Sequence, residues 1–164
     1  MTAQYPLEQV LQIKRERVEK AEKVVEEKKR ALTVEEEKLR KVQEERDAVK
    51  QHRNDKLAQL RKVLDEGTTS DEVLQMKAYL KVVAERLIKE EEKVKKQTEQ
   101  VKMAQKALNE AQADLQKKRL DEEKIKLHRE AWQKERKKEM ELQEVREQDE
   151  LGQLTYESQR RKKE

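Results

Sequence analysis

The sequence predicts an all-α protein, a long antiparallel two-helix coiled-coil hairpin turning at about residues 67–70. Three observations predict it. Of 164 residues, 48% are charged and 2% aromatic, with no Phe and no Cys, so large apolar side chains are too few to fill a globular core. Val, Leu and Ile nevertheless recur in strict heptads, which disorder does not explain and a single buried stripe does. Between Pro6 and Gly152 only one stretch reads as a turn, Gly67 to Ser70. Gly67, lacking a Cβ, suits the left-handed position that ends a helix. Thr69 to Glu72 reads as a capping box, in which the Thr69 hydroxyl accepts from the Glu72 amide and the Glu72 carboxylate reaches back. A link this short joins antiparallel neighbours.

The first arm starts at Pro6, whose missing amide proton is harmless in a first helical turn. One seam position holds Leu11, Val18, Val25, Leu32, Leu39, Arg46, Arg53 and Leu60. The other holds Leu7, Lys14, Ala21, Lys28, Glu35, Val42, Val49, Lys56 and Val63. On the outer faces Glu16/Lys20, Glu19/Lys23 and Glu37/Lys41 are spaced for supporting pairs. In the second arm Val73, Leu80, Leu87, Val94, Val101, Leu108 and Leu115 fill one seam position without a break. Met76, Val83, Glu90, Gln97, Ala104, Ala111, Lys118 and Ile125 fill the alternate one, with Trp132 following in phase. Folding about residue 68 sets positions opposite when their numbers sum to 136, and seam then meets seam throughout. Leu11 meets Ile125, Val49 meets Leu87, Arg46 meets Glu90 and Lys14 meets Glu122, while Arg53 faces Val83 and snorkels. The expected organisation is an N-terminal tail (1–5), a hairpin (6–151, arms about 6–66 and 70–151) and a frayed basic C-terminal tail (152–164) beyond Gly152. At about 1.5 Å per residue the arms measure roughly 90 and 120 Å, so the second overhangs the first.

Little here carries chemistry. No cysteine nucleophile exists, no histidine neighbours Ser70 or Ser158, and the two glycines stand 85 positions apart, which excludes a glycine-rich phosphate loop. His52 and His128 fall on distant parts of the hairpin, so no shared metal site forms. Carboxylates on a two-helix surface lack the concave, water-poor setting that shifts their pKa. The expectation is no enzyme, no catalytic, metal or cofactor-binding residue and no cofactor. Lys and Arg outnumber Asp and Glu only 41 to 37, with interspersed signs and no aromatic platform, so nucleic acid is not expected as a partner. No apolar run approaches the roughly 20 residues that span a bilayer, and the start does not resemble a signal peptide, which points to the cytoplasm.

Two apolar groups lie off the seam. Leu74, Ala78 and Val82 step along a face away from it, with Tyr79 beside them. Tyr5, Val10 and Ile13 gather at the other end, with Trp132 across the hairpin. Apolar groups exposed on so polar a surface ask for partners to cover them.

The stretches Tyr5 to Leu11 (YPLEQVL), Asp65 to Ala84 (DEGTTSDEVLQMKAYLKVVA) and Glu147 to Leu154 (EQDELGQL) resemble the YscO/FliJ-like stalk family of type III secretion and flagellar export, most of all its chlamydial branch. The resemblance covers nearly the whole chain. It implies a virulence-associated protein-transport component: an antiparallel stalk similar to the coiled coil of the rotary ATP synthase γ subunit, at the cytosolic base of a membrane-embedded secretion apparatus. In that family the terminal end enters the pore of a hexameric export ATPase and the other end approaches an export-gate protein. Members also escort substrate chaperones, and some bind a needle-length control protein. Carried over by position, Tyr5, Leu7, Val10, Ile13 and Trp132 are the expected ATPase contact. Leu74, Ala78, Tyr79 and Val82 are the expected export-gate or chaperone contact. The alternative reading is a generic coiled-coil tether or scaffold that joins two partners at a fixed distance.

Overall fold

The computed structural model describes residues 3–163, and Met1, Thr2 and Glu164, the outermost positions of the expected tails, lie outside the described residues. Two helices account for nearly all of it: α1, Glu8–Glu66, and α2, Ser70–Arg161. They pack as an antiparallel hairpin whose contacts divide into two units. One comprises the chain up to Ala21 with Leu115 onwards, the other Glu22–Asp114.

The second unit contains the turn. Gly67 has φ of +90° and is the one described residue with positive φ. A Cβ there would meet nothing within 4 Å, so the backbone angle alone selects glycine. Half of the expected capping box forms. Thr69 Oγ1 accepts the Glu72 amide at 3.4 Å, and the Val73 amide donates to the Thr69 carbonyl at 3.2 Å. The Glu72 carboxylate does not return to the Thr69 amide; it accepts from the Thr68 hydroxyl instead. Asp71 and Glu72 in the first turn of α2 further oppose the positive end of its dipole.

Below the turn, Val49, Val83 and Leu87 form a buried cluster, in the register that the heptads predict. Farther along, Gln97 Nε2 donates to both the Glu35 carbonyl (3.0 Å) and its carboxylate (2.6 Å), tying α2 to α1. That bond, and secondarily the Lys38 ammonium, holds the Glu35 carboxyl below the usual carboxylate range.

In the other unit the core is Leu11, Val18, Ala21 and Leu115, with Leu11 fully enclosed. Its helices are crossed by Arg129–Glu8 (3.5 Å), Lys14–Asp121 (3.8 Å) and Arg15–Glu122 (3.8 Å). All three connect positions whose numbers sum close to 136, so the register holds here as well.

Among the predicted seam positions only Lys28 is exposed, its stem long enough to carry the ammonium clear. Several charge partners differ from expectation. Arg46 turns outward and donates to Asp47 (3.0 and 2.9 Å) rather than to Glu90. Lys14 reaches Asp121, leaving Glu122 to Arg15 and Lys126. Arg53 stays half-buried with its Nε unpartnered. The i, i+4 pairs Glu16/Lys20, Glu19/Lys23 and Glu37/Lys41 do not close; Arg40 bridges Glu37 and Glu44 instead, drawing the Glu37 carboxyl below its usual range. Long side chains on an exposed helix choose among near-equal neighbours, each worth only a few tenths of a kcal/mol (roughly 0.2–0.5), so spacing does not select one.

The chain ends differ too. Tyr5, the last residue of the expected N-terminal tail, is buried, and the Glu8 amide donates to its carbonyl at 3.2 Å, so the helix starts at Glu8, after a turn at Pro6 and Leu7, rather than at residue 6. Nor does α2 stop at Gly152; it runs on to Arg161. One glycine costs a helix about 1 kcal/mol, which the surrounding Glu, Leu, Gln and Arg residues offset.

Candidate functional site

Each unit presents one of the two off-seam groups, and the structure treats them oppositely. At the terminal end Tyr5 is only 5% exposed. Its ring meets Trp132 (centroids 5.5 Å apart) and His128 (5.8 Å), and its hydroxyl shares a 2.6 Å hydrogen bond with His128 Nδ1. Tyr5 and Trp132 therefore come together, but mostly to cover each other. Leu7 and Val10 are half-buried, whereas Ile13 is 48% exposed and faces outward. Past Trp132, α2 has no α1 residues alongside, and every position from Gln133 to Lys163 is exposed. Met140, Leu142, Val145, Leu151, Leu154 and Tyr156 project from this segment, whose helical part extends roughly 45 Å at about 1.5 Å per residue.

Near the turn, Leu74 is 64% and Val82 is 61% exposed, with Ala78 exposed between them. Tyr79, half-exposed, stands edge-on to His52 and shares a 2.8 Å hydrogen bond with His52 Nε2; Lys56 Nζ lies 5.7 Å from its ring centre. Beside it a groove of about 420 Å³ runs from His52 and Tyr79 past Val82 to Glu90. Both histidines, which the sequence leaves as solvated or partly packed side chains, thus hold a tyrosine hydroxyl across the hairpin. Spacing alone does not reveal these pairs: 5 plus 128 is 133 and 52 plus 79 is 131, three and five short of the fold-over sum, and only the reach of the tyrosine side chains closes the gap.

Among the described residues no three His, Asp or Glu side chains converge where a metal ion could sit, and no helix is long and apolar enough to cross a membrane. The described residues present two open features: an apolar patch near the turn and a helical extension at the terminal end. Such a molecule belongs to the class of long helical hairpins.

Within that class the chain belongs to the YscO-like protein family, a type III secretion family, whose model matches residues 2–162. It is similar to a solved chain from Chlamydia trachomatis described as a YscO homologue, with 54% identity over 98% of this chain and 99% of that one and a TM-score of 0.92. It is also similar to a chain in the structure of the Chlamydia pneumoniae CdsV and CdsO protein complex, at 58% identity and a TM-score of 0.50, covering 51% of this chain and 98% of that one. No curated protein matches it.

Proposed function

We propose that the protein is a non-enzymatic coiled-coil stalk of a type III export apparatus, meeting the export-gate protein through its turn end and the hexameric export ATPase through its terminal end. The observation that carries this reading is the open face of Leu74, Ala78 and Val82. Two branched side chains more than half exposed, one helical turn either side of Ala78, suit coverage by a partner. Family membership makes the export machinery the natural partner, and a relative was solved with CdsV.

The ATPase contact rests on the other end. Ile13, exposed, and Val10, half-buried, lie in the first turns of α1; Tyr5 meets Trp132 at the same end, and the bare part of α2 follows. A partner ring gripping this end would seat one asymmetric helix pair among several equivalent subunits, and so favour one subunit state over the others. Binding that differs between states shifts their populations. The protein would work at the cytosolic face of the apparatus, and the same exposed surfaces would carry substrate chaperones or a needle-length control protein.

The test is purification of the tagged protein from cells assembling the apparatus. The expected result is retention of both the hexameric ATPase and the gate protein; retention of neither would refute the reading.

A further inference from the structure

The groove beside the seam ends on an unusual carboxylate. Glu90 is 8% exposed, and its Oε2 is buried without a hydrogen-bond partner. Its other oxygen accepts from Lys93 at 3.2 Å, a side chain that is itself mostly in solvent. The donor that the register brings opposite, Arg46, is engaged with Asp47. Arg86, one turn away and also on the groove, has no ion pair among the described residues. A buried carboxylate oxygen left without a donor is destabilising, and native proteins rarely keep one without a use.

We propose that this groove receives an arginine or lysine side chain from a partner protein. Its stem would lie on Val49, Val82 and Val83, and its head group would donate to Glu90 Oε2. The missing element is a donor, which excludes an acidic ligand at this position. Three valines leading to it suit a long aliphatic stem better than a small hydrated ion. Val82 belongs both to the groove wall and to the open face with Leu74 and Ala78, so a partner covering that face passes over the groove. The inference thus deepens the export-gate reading and rests on it. An arginine could take both carboxylate oxygens once Lys93 yields, the stronger and more directional arrangement.

The fold gives this a distinctive signature. In the free protein the unpartnered Glu90 Oε2 is a burden, so Glu90→Leu should raise the melting temperature by roughly 2–4 °C, since an apolar residue fills the site without a buried oxygen that lacks a donor. In the complex the same change removes the carboxylate that the cation needs, so affinity should fall about tenfold or more, and binding should lose part of its salt dependence. A Glu90 that merely braced the seam would lower stability when replaced.

The experiment titrates the full-length protein with the cytoplasmic domain of the cognate export-gate protein at two salt concentrations. It compares wild type, Glu90→Leu, and Leu74→Asp with Val82→Asp. In parallel, n-butylguanidinium is titrated into the free wild-type protein while side-chain carboxyl resonances are followed. Weaker binding by both variants, with the Glu90 resonance moving more than those of exposed Glu91 and Glu92, is the expected result. Unchanged binding by Glu90→Leu beside weakened binding by the turn-face variant would overturn the cation groove and leave the gate reading standing. Unchanged binding by the turn-face variant, or none by wild type, would overturn the gate reading. A Glu90 resonance indifferent to n-butylguanidinium would overturn the groove whatever the gate protein does.

Discussion

Tyr5 with His128 and Tyr79 with His52 are the same pair of side chains placed in two units, and their surroundings give them different roles. The Tyr5 ring is closed in by Trp132 as well as the histidine, and almost none of it reaches solvent. The Tyr79 ring meets one histidine edge-on and is 47% exposed. The first is a lock, which holds the N-terminal segment to α2 before α1 has completed its first turn. The second is one wall of a groove that still has an open side. An aromatic residue off the seam is therefore not in itself a docking signal; what matters is whether the chain has already covered it.

The largest expected effect breaks that comparison if it fails. Tyr5→Ala should destabilise its unit by about 3–5 kcal/mol, as for other large aromatic truncations in packed sites. Tyr79→Ala should cost about 1 kcal/mol, the worth of one hydrogen bond and a partial ring contact. Urea unfolding of the two variants measures both, and equal losses would show that burial does not separate the tyrosines.

Next in size is a crosslink that sharpens the account of the terminal unit. Leu11→Cys with Ile125→Cys lies between the Lys14–Asp121 and Glu8–Arg129 bridges, in a chain otherwise free of cysteine. Oxidation should give an intramolecular disulfide and raise stability over the reduced form by about 2–4 kcal/mol. Crosslinked dimers alone at low protein concentration would contradict the register.

A smaller effect belongs to the turn-containing unit. The Glu35 carboxyl is held low first by the Gln97 amide, so its contribution to stability is present above the usual carboxylate range. It is lost as pH falls through the lowered value in the folded state. Gln97→Ala should therefore melt below wild type at pH 7, with the gap narrowing in acid; a gap that widened would carry the wrong sign. Smallest of all, Leu74→Asp with Val82→Asp should change stability by no more than about 0.5 kcal/mol, because both side chains already face water. A large loss would mean that the face braces the fold.

Much of the hairpin was legible because heptads report burial directly, and Gly67 reports a backbone angle that other residues avoid. Val49, Val83 and Leu87 needed nothing beyond spacing. Partner choice among charges was not legible: whether Arg46 takes Asp47 or Glu90 turns on rotamers and solvation, not on register. The two tyrosine–histidine contacts are not legible from spacing, because the fold-over rule sets Glu8 opposite His128 and Ala84 opposite His52, three and five residues away from the tyrosines. The helix beyond Gly152 is not legible from the glycine alone, because the cost of one glycine is outweighed by the helix formers around it. The off-seam patches were legible as apolar and exposed, which holds for Leu74, Ala78, Val82 and Ile13 but not for Tyr5. Only the packed structure separates Tyr5, covered by its own chain, from Leu74 and Val82, which are not.

If the two ends meet different partners, hydrolysis of ATP by the cognate export ATPase responds to changes at one end and not at the other. Added wild-type protein should accelerate hydrolysis while showing none alone. Val10→Asp with Ile13→Asp should abolish the stimulation without loss of helicity, and Leu74→Asp with Val82→Asp should leave it intact. Stimulation that survived the N-terminal changes and vanished with the turn changes would contradict the assignment of ends. A wild type without effect on the rate would remove the ATPase from the account altogether.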